Sequence, residues 1–384
     1  QIYHIGGVSD LDYLRLYRKF TYVNQESYRL DHIANVELGE KKLDYSEYAT
    51  LHTLYKENFQ KFIEYNIKDV KLIVALEEKL KLLEMAIGLA YHCKVNFSDV
   101  FGQVRMWDNL ICDHLIKKGI VIPPHLKEKN VGEIEGAYVK DPIVGMHKWV
   151  VSFDLNSLYP HLIMQYNISP ETLVDDENHS WNVKKLMDGE FSEQDNLEET
   201  NRTITPNGVY FKTDVKGFLP EIMEKMYDDR VKVKKKMIIA QQQMEKTKDT
   251  ADRFELYNKI AGYHTKQINL KISLNSAYGA FGNQYFRYYD KRLAEAVTLS
   301  GQLSIRWIER DLNKYLNELL KPEEHKDYIL AVDTDSVYIT MDKLVQSVYG
   351  DKDVDKTQVI DFLDKVGSEQ MEKIIDKSYE KLKD

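Results

Sequence analysis

At 384 residues, 43% hydrophobic and 30% charged, the chain is long enough for two or three domains and too apolar for a disordered tail. A formal net charge of −9 does not exclude nucleic acid, because phosphate backbones are gripped by local basic patches rather than by net charge. Two cysteines, Cys93 and Cys112, exclude a disulfide framework and show no metal-ligand spacing, and there is no apolar run of about 18 residues and no signal peptide, so a soluble intracellular protein is expected.

Apolar residues Ile73, Leu76, Leu80, Leu83 and Ile87 recur at helical spacing and predict a helix over 63–89. Pro123-Pro124 and the polar stretch to Gly132 read as a linker. The run Trp149-Val150-Val151-Ser152-Phe153 suits a buried strand ending at Asp154. Residues 175–207 are polar and acidic, which predicts a surface insertion. Two long antiparallel helices follow, Pro220 to Lys246 and Asp252 to Tyr278, split by a short turn at Thr247–Thr250. The first of them carries the basic patch Lys225, Arg230, Lys232, Lys234, Lys235 and Lys236. A third long helix, Leu293 to Leu320, leads into strands Tyr328–Val332 and Val337–Thr340, joined by Asp333-Thr334-Asp335-Ser336. A charged helical pattern closes the chain from Asp361 to Asp384 without a Gly or Pro stop. With Gln1 at the start, both ends read as cut from something larger.

Three groups of residues carry chemistry. In extended chain, side chains alternate, so Asp333 and Asp335 would point one way and Thr334 the other. Two such carboxylates suit a hard cation with oxygen ligands, and the alternative is a plain polar turn. Asp154 ends a strand just where the backbone must bend away; it reads either as a third carboxylate of the same site or as a helix N-cap. Lys271, Asn275 and Tyr278, at spacings of four and three, share one helical face that suits a phosphate and base edges, as against a solvated face. Arg230 and Lys234 add charge four residues apart.

These segments resemble family B DNA polymerases. Asp154-Leu155-Asn156-Ser157-Leu158-Tyr159-Pro160 resembles motif A, Lys271 to Gly279 (KISLNSAYG) motif B, and Asp333-Thr334-Asp335-Ser336 motif C, in the family's order. Asn167 to Thr172, Phe286 to Asp290 and Trp307 to Arg310 are similar to the replicative polymerases of tailed bacteriophages. The resemblance implies an α+β fold: an antiparallel-sheet palm, helical-hairpin fingers, and the C-terminal remnant of an RNase H-like 3′–5′ exonuclease domain. The implied domains are an exonuclease remnant (1–93), a linker and template-guiding region (94–150), palm with motif A and an acidic insertion (151–217), fingers (218–280), and palm with motif C (281–384).

By matching position, Asp154 and Asp335 are the implied ligands of two magnesium ions, with manganese able to substitute, and Asp333 completes the catalytic set. The stretch Leu155, Asn156, Ser157 and Leu158 would cradle the triphosphate, and Tyr159 would be the steric gate against a ribose 2′-hydroxyl. Arg230, Lys234 and Lys271 would clamp the phosphates, with Asn275 beside the nucleotide. Tyr278, Gly279 and Trp107 would face DNA. Tyr65 and Asp69 resemble the third exonuclease motif; the first two motifs are absent, so exonuclease activity is not expected from this chain alone. The implied function is template-directed DNA synthesis on primer–template DNA with dNTPs, in the cytoplasm of an infected bacterial host. Sliding-clamp and replisome partners are implied through regions outside this chain, and no membrane. The alternative is an incomplete or split-polymerase segment that binds nucleotide or DNA but is inactive without further parts.

Overall fold

The computed structural model describes residues 5–21, 23–125, 132–178, 180–190, 201–350 and 355–383. In chain order the first helices are α1 (Tyr13–Phe20), α2 (Leu30–Leu38), α3 (Leu51–Glu57), α4 (Phe59–Leu80), α5 (Leu82–Cys93) and α6 (Gln103–Lys117). Next come α7 (Leu158–Gln165), α8 (Val183–Met187), α9 (Phe218–Lys246), α10 (Thr250–Phe281) and α11 (Lys291–Leu320). The last are α12 (Asp342–Tyr349), α13 (Lys356–Val366) and α14 (Glu372–Lys383). The strands are β1 (Val139–Lys140), β2 (Val150–Asp154), β3 (Leu173–Asn178), β4 (Arg202–Ile204), β5 (Val209–Lys212), β6 (Ile329–Asp333) and β7 (Ser336–Thr340). Helices with antiparallel sheets make an α+β protein, as expected. The expected features at Gln1, at Asp384, in the linker between 126 and 131 and in the acidic stretch 191–200 lie outside the described residues.

The chain divides into two units, residues 1–110 with 228–273, and residues 111–227 with 274–384. The first is helical among its described residues. Its core gathers Leu16 and Phe20 of α1, Ile33 of α2, Leu76 of α4, Leu82, Ala86 and Leu89 of α5, Met106 of α6 and Ile272 of α10. The single helix expected over 63–89 is two helices, broken at Lys81, whose left-handed backbone (φ 55°) ends α4 and starts α5. Lysine carries no Gly or Pro signal, so the apolar spacing runs through a break that it does not reveal.

Helix α10 is docked on α5 and α6 through polar insertions. The Asn269 amide sits between the Met85 carbonyl and the Leu89 N–H, 3.3 Å from each, oriented to donate to the first and accept from the second. It fits there because residue 88 is a glycine; a Cβ at that position would overlap the amide. Trp107 of α6, fully buried, donates its indole N–H to the Ser273 carbonyl at 3.2 Å.

The second unit holds a four-stranded antiparallel sheet in the order β1-β6-β7-β2 and a three-stranded one in the order β3-β5-β4. Residues Ile329, Val332, Val337 and Ile339 of β6 and β7 pack with Ile305, Ile308, Leu312 and Leu316 of α11 and with Val359, Leu363 and Met371 nearer the C-terminus. Strand β2 is not the buried strand that its apolar run suggests. It lies at the sheet edge with alternating exposure, Val150 at 45%, while the central strands β6 and β7 take the buried positions. The polar stretch expected as an insertion supplies β3, α8 and β4; β5, which pairs between β3 and β4, buries Phe211.

Gly88→Ala should cost about 1–3 kcal/mol, because overpacking forces Asn269 out of its bridge. Urea denaturation of the variant against the parent checks it; an unchanged midpoint would mean that the bridge contributes nothing.

Candidate functional site

Strand β2 pairs antiparallel with β7, which sets Asp154 opposite Ser336, and the Leu155 N–H extends the ladder to the Asp335 carbonyl at 2.8 Å. Strands β6 and β7 close on a two-residue turn, Thr334-Asp335, with Asp333 paired to Ser336. Both ladders therefore end at the same place, and the carboxylates stand at those ends.

Thr334 departs from the strand geometry that the sequence suggested. Its backbone is left-handed (φ 57°), a costly conformation for a β-branched residue. Two bonds hold it: Thr334 N–H to the Tyr138 carbonyl at 3.0 Å, and Asp335 N–H to the Asp333 carbonyl at 2.6 Å. The alternation expected for 333–335 therefore stops at 334. Asp333 instead accepts a hydrogen bond from the Thr334 hydroxyl at 3.0 Å. Burial pushes the Asp335 carboxyl above the usual range, and the negative charges of Asp154 and, less strongly, Asp333 push it further. Among the described residues no group of three His, Cys, Asp or Glu side chains is set to hold a metal ion. The donor set still fits a hard cation: all-oxygen ligands, and two carboxylates whose repulsion a cation would relieve.

Past Asp154 the chain turns sharply into α7. Its N-cap is Ser157, left-handed at φ 57°, with no side-chain capping bond, so the N-cap alternative for Asp154 falls away. In the first turn, Leu158 is buried, Asn156 just before it is exposed, and Pro160 supplies no donor. The Tyr159 ring stands 5.0 Å from the Tyr278 ring at 59°. Its phenol is pushed up to about 12 by burial, with Tyr278 and Asp335 adding, so it stays a neutral hydroxyl at any working pH.

On α10, Lys271, Asn275 and Gly279 are exposed and Tyr278 half-buried, while Ile272, Ser273, Leu274, Ser276 and Ala277 are buried. Lys271, Asn275, Tyr278 and Gly279 are thus the residues of this stretch left at least partly open. Asn275, Tyr278 and Gly279 belong to the unit that holds Asp154 and Asp335; Lys271, Arg230 and Lys234 belong to the other. Lys234 is exposed, and the Arg230 Nε is buried with no hydrogen-bond partner among the described residues.

Trp107, expected to face DNA, is fully buried and bonded to Ser273, which leaves its indole no surface to offer a strand. Tyr65 and Asp69 come together on α4 around Lys42, a residue that the sequence reading missed. The Lys42 Nζ lies 2.7 Å from both the Tyr65 hydroxyl and the Asp69 Oδ2. The other missed residue is Gly301 of α11, although a glycine inside a helical pattern is itself a signal of close approach.

The family model for DNA polymerase family B matches residues 101–381. The chain belongs to that family. It is 34% identical to the DNA-directed DNA polymerase of Escherichia phage RB69 over 420 aligned residues, and 32% identical to that of Enterobacteria phage T4 over 424, in each case along all of this chain. It is also 27% identical to the DNA polymerase delta catalytic subunit of Candida albicans, over 88% of this chain and 30% of that protein. The chain spans about half the length of its phage relatives, 45% and 46%.

An acid whose pKa is raised on folding loses stability as pH rises from its ordinary value of 3.8 through the raised one, because the folded state holds the proton more tightly. In chelator, Asp335→Asn should flatten the stability profile across that window and leave the variant the more stable protein at neutral pH. Denaturant titrations at a series of pH values measure this, and identical profiles for the two proteins would count against it.

Proposed function

We propose that this family B chain carries the nucleotidyl-transfer site of a DNA-directed DNA polymerase, acting on primer–template DNA and deoxynucleoside triphosphates. The observation that carries the proposal is the convergence of Asp154, Asp335 and Tyr159 at the ends of β2 and β7 and the start of α7. Two mutually repelling carboxylates lie beside a half-buried, neutral phenol.

Asp154 and Asp335 are the residues that would hold divalent metal ions, magnesium first among them. The chemistry such ions supply is activation of the primer 3′-hydroxyl and neutralisation of the leaving pyrophosphate. Asp333 adds negative potential from the same turn. The Leu155 N–H is taken by the Asp335 carbonyl, so the cradle for the triphosphate is the remaining backbone from Asn156 to Leu158, at a helix start that no side chain caps. The Tyr159 ring closes off the space that a 2′-hydroxyl would need and favours deoxyribose by exclusion. Tyr278 backs that ring, and Asn275 and Gly279 present an open face to the nucleotide and the nascent pair. In the other unit, Lys271, Arg230 and Lys234 are the cations that the family resemblance assigns to phosphates, and the unpartnered Arg230 Nε is a donor that an anion would satisfy.

Tyr65 and Asp69 are assigned to the end of an exonuclease domain and not to a working nuclease, since Lys42 already neutralises Asp69. The proposed place of action is the cytoplasm of an infected bacterium, a reading supported by the likeness to phage polymerases. No helix among the described residues is long and apolar enough to cross a membrane.

Asp335→Ala should lower primer extension by at least about a thousandfold, the loss expected when a principal electrostatic group of a transfer site is removed. The assay uses the chain with any flanking sequence its gene encodes, and turnover within tenfold of the parent, roughly, would remove Asp335 from the site. Tyr159→Ala should raise ribonucleotide incorporation relative to deoxynucleotide; a competition assay with an unchanged ratio sinks the gate assignment.

A further inference from the structure

Gly301 lies well inside α11, where a glycine weakens a helix relative to alanine. Its backbone has no positive φ that would call for glycine. The surroundings supply the reason. A Cβ at residue 301 would lie 2.8 Å from Cε1 of the Tyr159 ring, 3.6 Å from Cδ1, and 3.7 Å from Cδ2 of Leu158. The first distance is shorter than real carbon–carbon contacts allow.

The helix has no room to yield, so the ring must. The helix is buried without interruption from Ala296 to Ile305. It is also pinned to the segment before β1: the Thr298 hydroxyl donates to the Glu135 carbonyl at 2.7 Å, and the Gln302 amide to the Gly136 carbonyl at 2.8 Å. Tyr159 in turn has Tyr278 against it, with ring centroids 5.0 Å apart. The ring is thus held between a helix that cannot retreat and a second aromatic.

We infer that Gly301 is a positioning residue for Tyr159: the missing side chain sets how deeply the ring sits against α11, and so where the wall of the sugar pocket stands. The sugar-pocket half rests on the proposed function; the packing half does not. A methyl group at 301 drives the ring off α11 and into the space reserved for the nucleotide sugar. Deoxynucleotide binding suffers first, while the carboxylates at the strand ends are left in place.

Steady-state primer extension by the parent, Gly301→Ala, Tyr159→Ala and the double variant, on the chain with any flanking sequence its gene encodes, tests this. Gly301→Ala should raise the KM for deoxynucleotides about tenfold while kcat changes much less. The same change made in the Y159A background should move KM by no more than about twofold, since the ring it collides with is gone. A Gly301→Ala effect of equal size with and without the ring overturns the inference. If Gly301→Ala fails to fold, thermal melting decides: recovery of folding in the double variant supports the contact, and a double variant equally unfolded overturns it. If Tyr159→Ala leaves sugar discrimination unchanged while melting shows the 159–301 coupling, the positioning stands and the gate assignment is what fails.

Discussion

Two carboxylates held close together against their own repulsion are the constraint around which the second unit is built. Left to themselves the two groups would separate, because burial and the negative charge of Asp154 both disfavour the ionised form of Asp335. The backbone does not allow it. The β2–β7 ladder runs from Val150 to Asp154, and the Leu155–Asp335 bond extends it one residue further. The β6–β7 hairpin fixes the other carboxylate through a turn whose first residue, Thr334, is itself in an unfavourable conformation. Ladder hydrogen bonds and the apolar packing of β6 and β7 against α11 thus hold in place a charge arrangement that is unfavourable by itself. Strain and like charge concentrated at one spot, supported by well-packed surroundings, are the usual signature of a site kept for chemistry.

The aromatic side of the site follows the same logic with sterics in place of charge. Tyr159 is on a short helix whose start is set by the turn after Asp154, so only a few residues of chain place its ring relative to that carboxylate. The tyrosine still needs a wall behind it, and α11 provides one at its narrowest point. The helix buries Leu303, Ile305 and Ile308 along its length yet presents no side chain at Gly301. Packing and pocket shape are therefore decided by the same residues.

The first unit is organised differently. Its core is helix on helix, and α10 is fixed in rotation by polar groups set into apolar contacts: Asn269 across a turn of α5, and Ser273 under Trp107. Those contacts put 269 and 273 inside. Lys271 is therefore left outside, since residues two apart on a helix do not share a face. The exposure of Lys271 is a consequence of what its neighbours bury.

The sequence by itself determined the family, the mixed helical and antiparallel class, the long helices α9, α10 and α11, and the candidate carboxylates. These rest on signals that live in a few consecutive residues: periodicity, motif spacing and β-branched runs. Tertiary structure decided the rest. Whether β2 was central or at the edge depended on which strands paired, not on its apolar run. Left-handed residues at Lys81 and Thr334 broke a helix and a strand alternation at positions with no glycine to announce them. Trp107 was legible as a residue that the resemblance turns toward DNA, but its full burial depended on its packing against α10. Gly301 was visible as a glycine, yet its meaning depended on Tyr159, 142 positions earlier in the chain, arriving against it. Local pattern reports the conformation that residues prefer; which groups finally touch is a property of long-range packing, and the site is made of those contacts.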